Sequence, residues 1–124
     1  MIQTWLHKFR VAFAGLFWAL RDQPSFHVHL SVAAAVIVVG VLLPLQLWQW
    51  AGLIFAIGAV ITAELFNTSL ELLVAVIHPD RDPRIGRVLD VAAAAVLAAS
   101  LAAIAIGLLI LGPEIYLWFA PSQA

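Results

Sequence analysis

Between Gln23 and Ala63 the chain carries no Asp, Glu, Lys or Arg. One bilayer crossing needs about 20 apolar residues, so this stretch holds a first crossing, a turn and most of a second. Leu43-Pro44-Leu45-Gln46-Leu47 marks the turn, because proline cannot continue the hydrogen-bond ladder of a helix. Trp48 and Trp50 follow it, where interfacial indoles anchor a span. The 65% hydrophobic and 10% charged composition departs from that of soluble domains, whose apolar share is about a half. An ordinary soluble domain is thereby excluded, and the prediction is an all-α membrane protein with residues 1–124 as one membrane domain. With no cysteine in the sequence, disulfides, thiolate chemistry and cysteine-held metals are excluded too.

Ahead of the charge-free run, residues 1–22 read as an amphipathic helix lying on the membrane surface. Ile2, Trp5, Leu6, Phe9, Phe13, Leu16 and Leu20 recur at helical spacing, while Gln3, Thr4, His7, Lys8 and Arg10 collect elsewhere. A signal peptide is the competing reading, but Arg21-Asp22-Gln23-Pro24 is a poor small-residue cleavage site. Pro24 interrupts the helix and Ser25 is placed to cap the next one. The crossings are expected over 28–43, 48–77 and 88–112, with 78–87 as a polar loop leading into a third helix that starts near Arg84. His27 and His29, two apart at the start of the first crossing, point to different sides of a helix and make a poor metal pair, so they read as interfacial hydrogen-bonding side chains. Alanines 92–95, 98, 99, 102 and 103 let the third crossing approach its neighbours closely. Gly112-Pro113 is expected to end that helix, leaving Glu114 to Ala124 as a tail anchored by Trp118.

The 6 basic residues set the orientation. Lys8, Arg10 and Arg21 precede the first crossing; Arg81, Arg84 and Arg87 lie between the second and third. The positive-inside rule then puts the surface helix and the 78–87 loop in the cytoplasm. A net charge of -1 is uninformative by itself, and nothing points to a nucleic-acid partner.

Within the second crossing, Glu64, Asn67, Thr68 and Glu71 fall on one helical face and Leu65, Phe66, Leu70 and Leu73 on the other. Carboxylates on a membrane-embedded helix cost at least a few kcal/mol each, and normally face a protein interior or a water-filled cavity where they have a task. Glu64 lies roughly 21 Å along the helix from Trp50 and Glu71 about 10 Å further, so both fall near the cytosolic boundary of a core about 30 Å thick. Phosphoryl transfer needs a base for the incoming hydroxyl, carboxylates for a divalent metal and cations for the phosphates. Glu64, Glu71, Asp90, Arg84 and Arg87 can supply these, although no Walker A sequence or G-x-G-x-x-G is present. A structural carboxylate pair and a cation-coupled transporter compete, but transport sites usually lie nearer the midplane.

Glu64-Leu65-Phe66-Asn67-Thr68-Ser69-Leu70-Glu71 fits the E-x-x-N-[ST]-x-x-E signature at every fixed position, and Gly86-Arg87-Val88-Leu89-Asp90-Val91-Ala92-Ala93 looks like a second motif. On these residues, and from Phe13-Ala14-Gly15-Leu16 to the closing helix, the chain resembles the small prokaryotic diacylglycerol kinases and undecaprenol kinases. Phe26-His27-Val28-His29 looks more like the undecaprenol branch. The resemblance implies a homotrimeric bundle of three-crossing subunits in the bacterial inner membrane, with its active site on the cytoplasmic face. It implies ATP- and Mg²⁺-dependent phosphorylation of a membrane lipid hydroxyl, of undecaprenol or diacylglycerol. Glu64 would be the general base, Asn67 and Asp90 would serve the nucleotide, and Glu71 and the position of Gln23 would hold the metal. Two positions depart from the pattern. Leu89 stands where the family usually has a phosphate-binding lysine, so Arg87 or Arg84 would have to compensate. Gln23 stands in place of a metal-binding glutamate, and a neutral amide is a weaker Mg²⁺ ligand. These departures motivate an alternative, a catalytically impaired member acting as a lipid-binding or scaffolding protein.

Overall fold

A computed structural model describes residues 2–120. The described chain forms four helices: α1 (Ile2–Asp22), α2 (Pro24–Leu42), α3 (Leu47–Ile77) and α4 (Pro83–Phe119). The last three are long and apolar enough to cross a membrane. The chain is an all-helical integral membrane protein, and most of its large apolar side chains face outward, as a lipid solvent permits.

Local chemistry sets where each helix begins. At the α1–α2 bend Gln23, not Ser25, is the N-cap of α2: its backbone is extended, its side chain makes no capping bond, and Pro24 opens the helix. Ser25 is thereby already inside the first turn. Pro24 is well placed there because the first N–H groups of a helix have no intrahelical acceptor. The bend is tight, with the Gln23 N–H donating to Ala19 (3.1 Å) and the Phe26 N–H to Gln23 (3.2 Å). Phe26 is completely buried against it.

Gln46 caps α3 through a reciprocal box with Gln49, whose Oε1 accepts the Gln46 N–H at 2.7 Å. Asp82 caps α4 by accepting the Arg84 N–H at 2.8 Å, with Pro83 next in line. The segment outside the helices is therefore 78–82, and α4 begins at Pro83, one residue before the expected start near Arg84.

Nor does α4 stop at Gly112-Pro113. The helix runs on to Phe119 with Pro113 inside it, and residues 121–124 of the expected tail lie outside the described residues. Proline removes one backbone donor, a loss that membrane helices tolerate when neighbouring groups compensate. Trp118 is exposed on the last turns.

The packing centres on α3 and α4. The covered residues of α4, Leu89, Ala92, Val96, Ala99, Ala103, Ile106 and Ile110, recur every three or four positions, the repeat of a coiled-coil seam. The matching stripe on α3 is Gln49, Leu53, Ala56, Val60, Glu64 and Asn67. Leu53, Ile110 and Leu111 form the core cluster, and Val36 and Val39 of α2 pack onto it. Close approach is visible at Gly52, where an added Cβ would stand 2.9 Å from Ile110 Cδ1. Gln49 Nε2 donates to Glu114 Oε1 at 2.9 Å and ties the start of α3 to the end of α4. The two helices are therefore antiparallel.

Candidate active site

The polar residues of α3 sit on the same stripe that carries its apolar core. Glu64 and Thr68 are each 4% exposed and Asn67 is 8% exposed. Glu71, two turns along, is exposed, and Phe66 on the opposite face is 70% exposed. Two carboxylates on one helix thus occupy unlike environments, one enclosed and one open to the surroundings. Such a difference is how paired carboxylates acquire different tasks.

Within this face Asn67 Nδ2 donates to Glu71 Oε1 at 2.9 Å. That bond fixes which way the Asn67 amide points, because the reverse orientation would set two acceptors against each other. Asn67 Oδ1 is left buried without a partner among the described residues. A buried acceptor in that condition costs about 1–3 kcal/mol, so the site is suited to a donor or a cation beside it. Among the described residues Glu64 has one cross-helix ion-pair partner, His29 of α2, whose Nε2 lies 3.7 Å from Glu64 Oε2.

The remaining candidates divide between the ends of α4 and α2. Both long helices rise about 1.5 Å per residue, so continuing the antiparallel pairing of Gln49 with Glu114 sets Asp90 level with about position 73 of α3, within a turn of Glu71. Asp90 and Arg87 are exposed, whereas Leu89 is half-buried. Arg84 is committed elsewhere: its Nη2 and Nε reach Asp82 at 2.8 and 3.2 Å. This guanidinium holds the Asp82 carboxyl below its ordinary range, and Asp82 in turn raises Arg84. Of the two arginines offered in place of lysine, Arg87 is the one whose side chain makes no hydrogen bond or ion pair among the described residues. It borders a shallow surface groove with Pro83, Arg84, Val88 and Val91. Gln23 is half-buried at the α1–α2 bend. Among the described residues no hydrogen bond or ion pair joins Gln23, Asp90 or Arg87 to the α3 carboxylates.

Nor do three His, Cys, Asp or Glu side chains cluster into a metal cage among the described residues. Mg²⁺ does not require one, since it takes one or two carboxylates and keeps waters or phosphate oxygens in its remaining positions. Exposed Glu71 and the unpartnered Asn67 Oδ1 are hard oxygen donors of the kind it prefers.

The pairing of His29 with Glu64 is what sequence reasoning missed. The signal available was the position of His29 three residues after Phe26, which puts it on the buried face of α2 while His27 stays exposed. The contact with Glu64 depends on how α2 and α3 pack, which helical spacing alone does not specify.

Comparison with known proteins matches the family model described as "Prokaryotic diacylglycerol kinase" over residues 10–111. The chain is 32% identical to the undecaprenol kinase of Bacillus subtilis (strain 168) over 101 residues, covering 82% of each chain. It is 34% identical to a diacylglycerol kinase of Synechocystis sp. over 111 residues, 89% of this chain and 63% of that one. No solved structure matches.

Proposed function

Because the chain belongs to the prokaryotic diacylglycerol kinase family and is a lipid kinase, we propose that it transfers the γ-phosphoryl group of Mg-ATP to the hydroxyl of undecaprenol or diacylglycerol. The observation that carries this reading is the pairing on α3 of an enclosed Glu64 with an exposed Glu71. Glu64 takes the proton of the lipid hydroxyl as its oxygen attacks the γ-phosphorus. The bond to the β–γ bridging oxygen breaks and ADP leaves. A carboxylate in an apolar seam suits this task, because water is excluded from it and the lipid headgroup approaches from the same boundary.

Glu71 and Gln23 would hold Mg²⁺, which offsets charge on the β- and γ-phosphates when bound. Asn67 orients Glu71 through one N–H and keeps the other for a phosphate oxygen. Asp90 orients groups around the nucleotide, and Arg87 supplies the cation that Leu89 does not. Given the basic residues of α1 and those at Arg81, Arg84 and Arg87 around the start of α4, the site faces the cytoplasm of a bacterial inner membrane. The assembly that goes with this reading is a homotrimer.

One observation favours the second reading, an impaired lipid-binding or scaffolding member: Leu89 is half-buried and its side chain offers a phosphate nothing. Purified protein given ATP, Mg²⁺, undecaprenol and diacylglycerol side by side separates the two. Phosphate on either lipid supports the kinase reaction proposed here. Phosphate on neither, with the lipids still bound, supports the scaffold.

A further inference from the structure

Glu64 is enclosed, yet among the described residues its carboxylate has a single ion-pair neighbour from another helix, His29 Nε2 at 3.7 Å from Oε2. A carboxylate with no partner in an apolar seam costs several kcal/mol, and a base able to rotate spends little time aimed at its substrate. The imidazole answers both requirements. A carboxylate oxygen only accepts, so the ring serves this one in the tautomer that carries its proton on Nε2, or as imidazolium. The spacing exceeds a hydrogen bond by a few tenths of an ångström, as apo catalytic contacts often do before substrate tightens them.

From this geometry, and resting on the reading of Glu64 as base, we propose that His29 is a positioning residue. Its Nε2 engages Oε2, which leaves Oε1 as the oxygen that meets the lipid hydroxyl. Phe26 supports the arrangement. It is fully buried three residues earlier on the same face of α2, so the rotation of α2 that brings His29 to Glu64 is held by packing. His27, exposed and off that face, has no part in it. His29 keeps about a quarter of its side chain accessible, so the pair lies at the edge of the seam, where a lipid headgroup can reach it.

The test is steady-state kinetics on purified full-length protein in lipid micelles, with lipid alcohol and Mg-ATP each varied, for wild type, H29A, H29Q, E64Q and H29A/E64Q. Helicity and thermal unfolding are recorded for each variant. H29A should lower kcat on the order of tenfold to a hundredfold, the cost of misplacing a reacting group, with both KM values within about threefold of wild type. H29Q retains an amide donor and should recover most of the loss, which also covers the case in which H29A folds poorly. In the E64Q background, removal of His29 should change kcat less than about twofold, since groups acting as one unit are not additive. Wild-type kcat in H29A, no recovery in H29Q, or an equal loss in the E64Q background would each overturn the proposal. Full activity in E64Q would instead remove the reading of Glu64 as base, so the two failures are distinguishable.

Discussion

Gln49 Nε2 donates a 2.9 Å hydrogen bond to Glu114 Oε1, and the same Gln49 accepts the Gln46 N–H through Oε1 at 2.7 Å. One buried side chain thus caps α3 and sets its register against α4. Register matters for chemistry at the other end, because it decides which turn of α4 stands beside Glu71.

Gln49→Ala should therefore cost more than a surface change. Loss of a cap is worth about 1 kcal/mol and a hydrogen bond to a charged group roughly 1.5–3, so destabilisation of about 2–4 kcal/mol is expected from thermal or denaturant unfolding in detergent. Glu114→Gln retains an acceptor and should cost about 1 kcal/mol or less.

Removing the bond that aims Glu71 should be visible as a metal phenotype. Asn67→Ala and Glu71→Gln are expected to raise the Mg²⁺ concentration for half-maximal turnover by about 10- to 100-fold, the usual effect of losing an orienting or ligating group. Excess Mg²⁺ should restore much of the Glu71→Gln rate. A Mg²⁺ titration checks this directly.

Much of this arrangement was legible beforehand. The charge-free run, Pro44 and the tryptophans gave the helix count and the turn, and the spacing of Glu64, Asn67, Thr68 and Glu71 gave their common face. What the spacing left open was which neighbour that face meets. The His29–Glu64 pairing was out of reach for that reason, and so was the contrast between half-buried Leu89 and exposed Asp90. Pro113 misled because in water a proline usually ends a helix, whereas in a bilayer breaking the helix would leave backbone groups without partners.

Leu89 and Arg87 give a nucleotide phenotype. Arg87→Ala should raise KM for ATP about tenfold, the loss of one charge-assisted phosphate contact worth roughly 1.5 kcal/mol. Leu89→Lys should lower it severalfold. Kinetics with ATP varied at saturating lipid and Mg²⁺ read both.

The cap at Asp82 predicts an acid dependence confined to the start of α4. Its carboxyl is held below the ordinary value of 3.8 by the Arg84 side chain first and the Arg84 backbone N–H second. A depressed value in the folded state means that the stabilisation is complete above 3.8 and is lost only as pH falls through the lower folded value. Protection of the Arg84 and Gly86 amides, taken relative to their intrinsic exchange rate at each pH, should hold at pH 5 and fall only below that range, while Asp82→Ala should lack it at every pH.

The central assignment is Glu64 as base, and its most direct test is the rate of phosphate transfer from ATP to lipid alcohol by Glu64→Gln at saturating Mg²⁺ and lipid. A fall in kcat of about 10²- to 10⁴-fold, the contribution of a general base, with KM for ATP nearly unchanged and folding intact, is the expected result. Turnover by Glu64→Gln at the wild-type rate would contradict it.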